Sequence, residues 1–239
     1  MGKPRSTEKQ ILFNTQMVQA ILDGKKTTTR RIIKRTPSND CPSGYGFWKE
    51  FNDSDKRFYI KDYTHSPLWW TQEEYIKKFS RYQVGDTLYV REKFFKGDIL
   101  NSNEDIVDRD IVLYAADELR EDLDPAEMKW KPSIHMPKKL ARIFLKVLDI
   151  GIERLSTMEH EDFLSEGIRE YTKDNEVLKY AVKNQYTWKD MPRNSKDPFV
   201  SLWDSTLTKE QIEMYSWAAD PWVWVIKFEI ISENTEIKI

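Results

Sequence analysis

Apolar residues along this chain fall in short blocks, and their spacing switches between the period of a strand and that of a helix. Residues 11–14, ILFN, predict a short strand. In TQMVQAILDG (15–24), Met17, Ala20 and Ile21 share one helical face, Thr15 takes the capping position, and Gly24 suits a left-handed residue past the C-terminus. TTTRRII, from Thr27, is β-branched and predicts a strand. In VGDTLYVREKF (84–94) a turn precedes an alternation that sends Leu88 and Val90 one way and Tyr89 and Arg91 the other. DIVLYAAD (110–117) reads as another strand. Beyond the proline-bounded WKPSIHMP, Ile143, Leu145 and Val147 alternate with Arg142, Phe144, Lys146 and Leu148, which predicts a long strand within 130–155. Residues 156–167 predict a helix with a Ser156–Glu159 capping box, ended by Gly167. Asp197 and Pro198 open a further helix, and PWVWVIKFEIIS (221–232) reads as a closing strand.

About six strands and three or four short helices, without βαβ regularity, predict an α+β fold: a small, mostly antiparallel β-barrel with flanking helices. The barrel segments are spread over 1–239, a single domain. Segments 37–80, 96–137 and 169–196 interrupt the pattern and read as insertions. The first is turn-rich and aromatic, a lid too short to build its own core.

Composition narrows the classes. Eight Gly disfavours a dinucleotide fold, which uses glycine to bring backbone up to phosphate. Nine Trp, eleven Tyr and eleven Phe exclude a disordered chain. A lone cysteine, Cys41, excludes an internal disulfide and a cysteine zinc cluster. Gly44–Tyr45–Gly46 lacks a third glycine and a preceding strand, and His65, His135 and His160 lack ligand spacing, so no metal and no cofactor are expected. No run is long and apolar enough for a membrane span and no hydrophobic signal core opens the chain, so a cytosolic location and no membrane partner are expected.

The net charge is only −2, yet residues 1–36 hold nine Lys and Arg against two acids, while 98–127 hold eleven acids against two Arg. A local basic face suits a nucleotide or short nucleic acid better than a long duplex. That face peaks in GKKTTTRR (24–31). By residue type alone the stretch fits a solvated turn followed by good strand formers. Read for chemistry, Lys26 in the turn can meet Thr29 on the strand. A lysine desolvated among strands has a lowered pKa and can act as a base toward a neighbouring hydroxyl. Glu166, in the last turn of its helix, sits where the helix dipole disfavours an anion, which would raise its pKa toward a value useful in proton transfer. His135, boxed by Pro132 and Pro137 beside Trp130, and Arg142 could stack on or hydrogen-bond a base.

G-x-K-T-x-T-x-R, filled by Gly24, Lys26, Thr27, Thr29 and Arg31, resembles the signature of the ASCH domain family, of the PUA-like fold. VGDTLYVREKF, LSTMEHEDFLSEGI and WVWVIKFEII resemble that family's Gly-Asp turn and strand, its helix ending in Glu-Gly and its closing strand. WKPSIHMPKKLAR resembles a subgroup of longer members often encoded by bacteriophages, for which the location would be the host cytoplasm. The resemblance implies a PUA-like barrel whose cleft takes RNA or a modified nucleoside. Small bacterial members deacetylate N4-acetylcytidine with a lysine, a threonine and a glutamate, which by motif position fall on Lys26, Thr29 and Glu166. Lys25, Arg30, Arg31, Arg91, Glu92, Trp130, His135 and Arg142 are the expected substrate- or RNA-binding residues. Three activities follow as alternatives: an amidohydrolase, a non-catalytic RNA or modified-nucleotide binder, and a metal-independent ribonuclease using Lys26 and His135.

Overall fold

The computed structural model describes residues 8–34, 47–52, 57–62, 66–100, 106–119, 121, 123–126, 128–173, 177–183 and 186–233. Cys41, Gly44–Tyr45–Gly46 and His65 lie outside them. From the N-terminus, β1 (Glu8–Leu12), α1 (Thr15–Leu22) and β2 (Thr28–Ile32) precede a meander of β3 (Phe47–Asn52), β4 (Arg57–Asp62) and β5 (Ser66–Thr71), which runs into α2 (Gln72–Phe79). β6 (Thr87–Arg91) leads to the hairpin β7 (Phe94–Leu100) and β8 (Ile106–Tyr114). The long β9 (Ile143–Arg154) is followed by α3 (His160–Ser165) and the hairpin β10 (Arg169–Lys173) and β11 (Val177–Ala181). Then come α4 (Lys196–Ser205), α5 (Lys209–Tyr215) and β12 (Trp222–Glu233).

The architecture is α+β. The main sheet has the order β1-β6-β9-β12-β2; its β1–β6 pair is parallel and the other three pairs are antiparallel. Among the described residues no ladder joins β1 to β2, so hydrogen bonds do not close this sheet into the expected barrel. The three smaller sheets fall in the segments that broke the sequence pattern.

The alternation places the core where the sequence predicts it. Leu88 and Val90 of β6 and Ile143, Leu145 and Val147 of β9 are buried, packed with Val18 and Ile21 of α1 and Val223, Val225 and Phe228 of β12. On the other face of β9, Lys146 and Leu148 are exposed. Arg142, expected on the same side as these two, is buried, because Glu92 and Asp117 clamp it at the start of β9. From α2, Tyr75 is 1% exposed and packs with Ile33, Ile152 and Trp222, which ties the 37–80 segment to the main sheet. Among the described residues no helix is long and apolar enough to cross a membrane.

Helix ends depart from the sequence reading by a few residues. Asn14, not Thr15, caps α1, its side-chain oxygen accepting from the Met17 N–H at 2.8 Å. α3 starts at His160 with a reciprocal Glu159–Asp162 box, because residues 155–157 form a 3-10 turn and the Ser156 N–H bonds Asp220. α4 starts at Lys196, one residue before Asp197.

Gly24 and Gly167 both adopt positive φ, +65° and +101°. At Gly167 a Cβ would also lie 2.8 Å from the Ala20 Cβ, so this glycine lets the end of α3 pass close to α1. Gly167→Ala is expected to cost about 1–3 kcal/mol from the backbone conformation alone. A lowered urea midpoint at unchanged m-value checks this; an unchanged midpoint refutes it.

Candidate functional site

The turn after α1 aims Lys26. Gly24 reverses the chain, and the N–H groups of Lys25 and Lys26 both donate to the Ala20 carbonyl, at 2.8 and 2.9 Å. Lys26 then forms an isolated antiparallel bridge with Glu166, the C-cap of α3, while the Thr27 N–H donates to the Ser165 carbonyl. Two segments 140 residues apart are thereby stitched at the backbone, and their side chains meet inside.

The Lys26 ammonium is buried and fully satisfied. Nζ donates to Glu166 Oε2 at 2.5 Å, to the Thr28 carbonyl at 2.8 Å and to the Glu166 carbonyl at 2.9 Å, which uses all three of its N–H groups. Burial pushes the Lys26 pKa below its ordinary value, against the opposing pull of the Glu166 carboxylate. Arg30 anchors the other oxygen: Nη1 lies 3.3 Å from Glu166 Oε1, Nε 2.7 Å from Glu153 and Nη2 2.8 Å from Asp162. Burial works against the Arg30 charge, but the Glu166, Glu153 and Asp162 carboxylates overcome it and raise its pKa. Asp162 is in turn held below the ordinary carboxylate value: burial opposes this, but the Glu159 N–H and Arg30 prevail.

A cavity of about 160 Å³ opens beside this network. Lys26, Thr29, Arg30, Arg31 and Glu166 line one part, and Phe13, Phe199 and Trp203 another. Thr29 is buried and lines the cavity, while Lys26 gives its three N–H groups to other acceptors. Arg31 is half-buried, donates to the Leu12 carbonyl at 2.7 Å and lies 5.1 Å from the Phe13 ring centre. Its burial lowers its pKa from the ordinary arginine value. An apolar cavity of ~150 Å³ holds one benzene ring, so this one is sized for a single six-membered ring or an acyl group, with the rest of a larger ligand outside.

The other sequence candidates lie elsewhere. Lys25 is exposed in the turn. Glu92 and Arg142 are spent on each other: Arg142 grips both Glu92 oxygens at 3.0 and 3.1 Å and both Asp117 oxygens at 2.9 and 2.7 Å, with the Tyr114 ring centre 4.0 Å away. Arg91 bonds Gln10 and the Ile134 carbonyl. Trp130 donates to the Pro125 carbonyl and lines a separate cleft with Lys93 and Asp117. His135 is exposed in a 3-10 turn, and none of these six lines the Lys26 cavity. The sequence reading missed Asp162 and the aromatic wall. Asp162 had a signal: it precedes Glu166 by one helical turn, so both present carboxylates to the same neighbour.

Among the described residues no group of three or more His, Cys, Asp or Glu is placed to hold a metal ion. Compared with protein-family models, with curated proteins and with solved structures, the chain matched none.

Proposed function

We propose that the chain is a PUA-like cleft protein of the ASCH type acting on RNA or a modified nucleoside, and that the Lys26 cavity deacylates an N4-acylated cytosine. The observation that carries this reading is the buried 2.5 Å contact of Lys26 with Glu166 in a cavity that Thr29 also lines. Thr29 Oγ1 attacks the amide carbonyl. Its proton passes to Lys26, which has first released one of its own along the short contact to Glu166; desolvation of the ammonium favours that release. The pair returns a proton to N4 as the C–N bond breaks, and water then frees the acyl group from Thr29 as a carboxylic acid. Arg30 stays charged throughout and holds Glu166 in place.

Liquid chromatography of N4-acetylcytidine and longer N4-acyl analogues, incubated with the purified chain, tests this. Cytidine release is expected, reduced by about 10²–10⁴-fold in Lys26→Ala and in Glu166→Gln. No release from any analogue by folded protein ends the enzymatic reading.

Non-catalytic binding of RNA or a modified nucleotide is the second reading, favoured by the saturation of Lys26: with every N–H donated, it has none left for Thr29. It predicts affinity without turnover, weakened by salt. A metal-independent ribonuclease pairing Lys26 with His135 has less support, because His135 does not line the cavity.

A further inference from the structure

A second cavity, of about 460 Å³, shares Leu12 and Arg31 with the Lys26 cavity. Its size falls within the ~300–1,000 Å³ of ordinary ligand sites. Arg31, Lys34 and Arg81 line it, and among the described residues no carboxylate does. The aromatic part of its wall comes from α2, β12 and Tyr82 between α2 and β6: Tyr75 of α2 stacks on Trp224 of β12 at 5.9 Å and 22°, and Phe79 lies 4.6 Å from Tyr75. Trp224 and Phe79 are only half-buried and keep apolar surface toward the cavity, while Arg81 and Lys34 are exposed at its rim.

Arg31 stands between the two cavities with most of its hydrogen-bonding capacity unused. Arg30 next to it meets three carboxylates and Arg142 meets two, whereas Arg31 forms no ion pair among the described residues. A half-buried cation without an anion is costly unless a ligand supplies one. The guanidinium fork matches phosphate oxygens in geometry. A polyphosphate alone would not need the aromatic wall. Cations interleaved with aromatic faces are the arrangement that tracks a single strand, phosphate on the cation and base on the ring.

We propose that this cavity is a subsite for the neighbouring residue of a single-stranded oligonucleotide: the phosphodiester sits on Arg31, and the next base lies against Trp224 and Phe79. The inference rests on the nucleoside reading of the Lys26 cavity and extends it, making the ligand a base within a strand rather than a free nucleoside. A duplex does not fit, because a one-ring cavity takes a base only out of the stack.

Calorimetric titration of the full chain with cytidine, with a cytidine-containing dinucleoside phosphate and with its uncharged methylphosphonate analogue is the test. The dinucleoside phosphate is expected to bind at least about 10-fold tighter than cytidine, as one added base–aromatic contact supplies. The uncharged analogue should lose most of that gain, as should Arg31→Gln. Arg81→Gln, at an exposed position that leaves folding intact, should reduce the salt dependence of binding, by a log–log slope of up to about 0.7. Equal affinity for all three ligands, or an advantage that survives both substitutions, overturns the subsite. Lys26-dependent turnover of N4-acetylcytidine with no dinucleotide advantage removes the subsite and keeps the function. Dinucleotide binding that needs Arg31 and Arg81 but ignores Lys26→Ala, with no turnover, keeps the subsite and removes the function.

Discussion

Lys26→Met is expected to lower folding stability by about 3–5 kcal/mol, the cost of removing one partner from a buried ion pair. The lost ammonium leaves Glu166 Oε2 and the carbonyls of Thr28 and Glu166 without the donor they share. Arg30, at 3.3 Å from the other carboxylate oxygen, compensates only in part. Adding Glu166→Gln should recover much of the loss, because the amide carries no charge to strand. Urea denaturation of the two single variants and the double variant measures the coupling directly. A single-variant loss below about 1 kcal/mol would mean that the pair is solvated and that this picture of the site is wrong. The pH dependence has a definite sign. Burial lowers the Lys26 pKa from 10.5, so between the lowered value and 10.5 the unfolded chain holds a proton that the native chain lacks. Stability therefore gains through that interval as pH rises, and Lys26→Met should lack this gain.

Arg142→Met is expected to be comparably damaging, again about 3–5 kcal/mol, although it lies outside the Lys26 cavity. Its guanidinium bridges Glu92, which is 1% exposed, and the more exposed Asp117, so it ties the end of β6 to the turn after β8 and to the start of β9. Tyr114 reports on the same cluster. Burial pushes its hydroxyl up to about 12, with Arg142 pulling the other way. That contribution to stability is intact below the unfolded value near 10 and is lost as pH rises toward 12. Without Arg142 the tyrosinate absorbance of Tyr114 should appear at still higher pH. An unchanged Tyr114 titration, or a stability loss no larger than a surface substitution produces, would show that the cluster is not a clamp.

The two largest effects differ in how far the sequence announces them. Gly24, Lys26 and Gly167 are legible because a glycine past a helix end and a charge beside it are local signals, and the alternations around Leu88 and Leu145 mark the core because burial on one face of a strand repeats every second residue. Partner choice is not local. Arg30 and Arg31 are neighbours of one type, and only the fold distinguishes Arg30, consumed by Glu153, Asp162 and Glu166, from Arg31, which meets no carboxylate among the described residues. Glu92 and Arg142 look like surface charges until β6 and β9 pair and turn them toward each other. The cap of α1 shifts from Thr15 to Asn14 because either residue can accept the hydrogen bond and the arriving chain decides which one does. The hairpins β7–β8 and β10–β11 lie in stretches where acids and lysines mask the alternation, so the sequence reading found only β8 among those four strands.

The position of β2 also orders the assembly of the protein in time. Among the described residues its only ladder partner is β12, with Thr29 opposite Ile226 and Arg30 opposite Val225. The strand that carries Thr29 and Arg30 thus leaves the ribosome well before its ladder partner, with β3 to β11 made in between. Until β12 arrives both edges of β2 are open, and afterwards β2 still ends the sheet among the described residues; an open edge is the kind of surface that invites pairing with other chains. Charged side chains discourage pairing at an open edge, and Lys25, Lys26, Arg30 and Arg31 are clustered on and just before this strand.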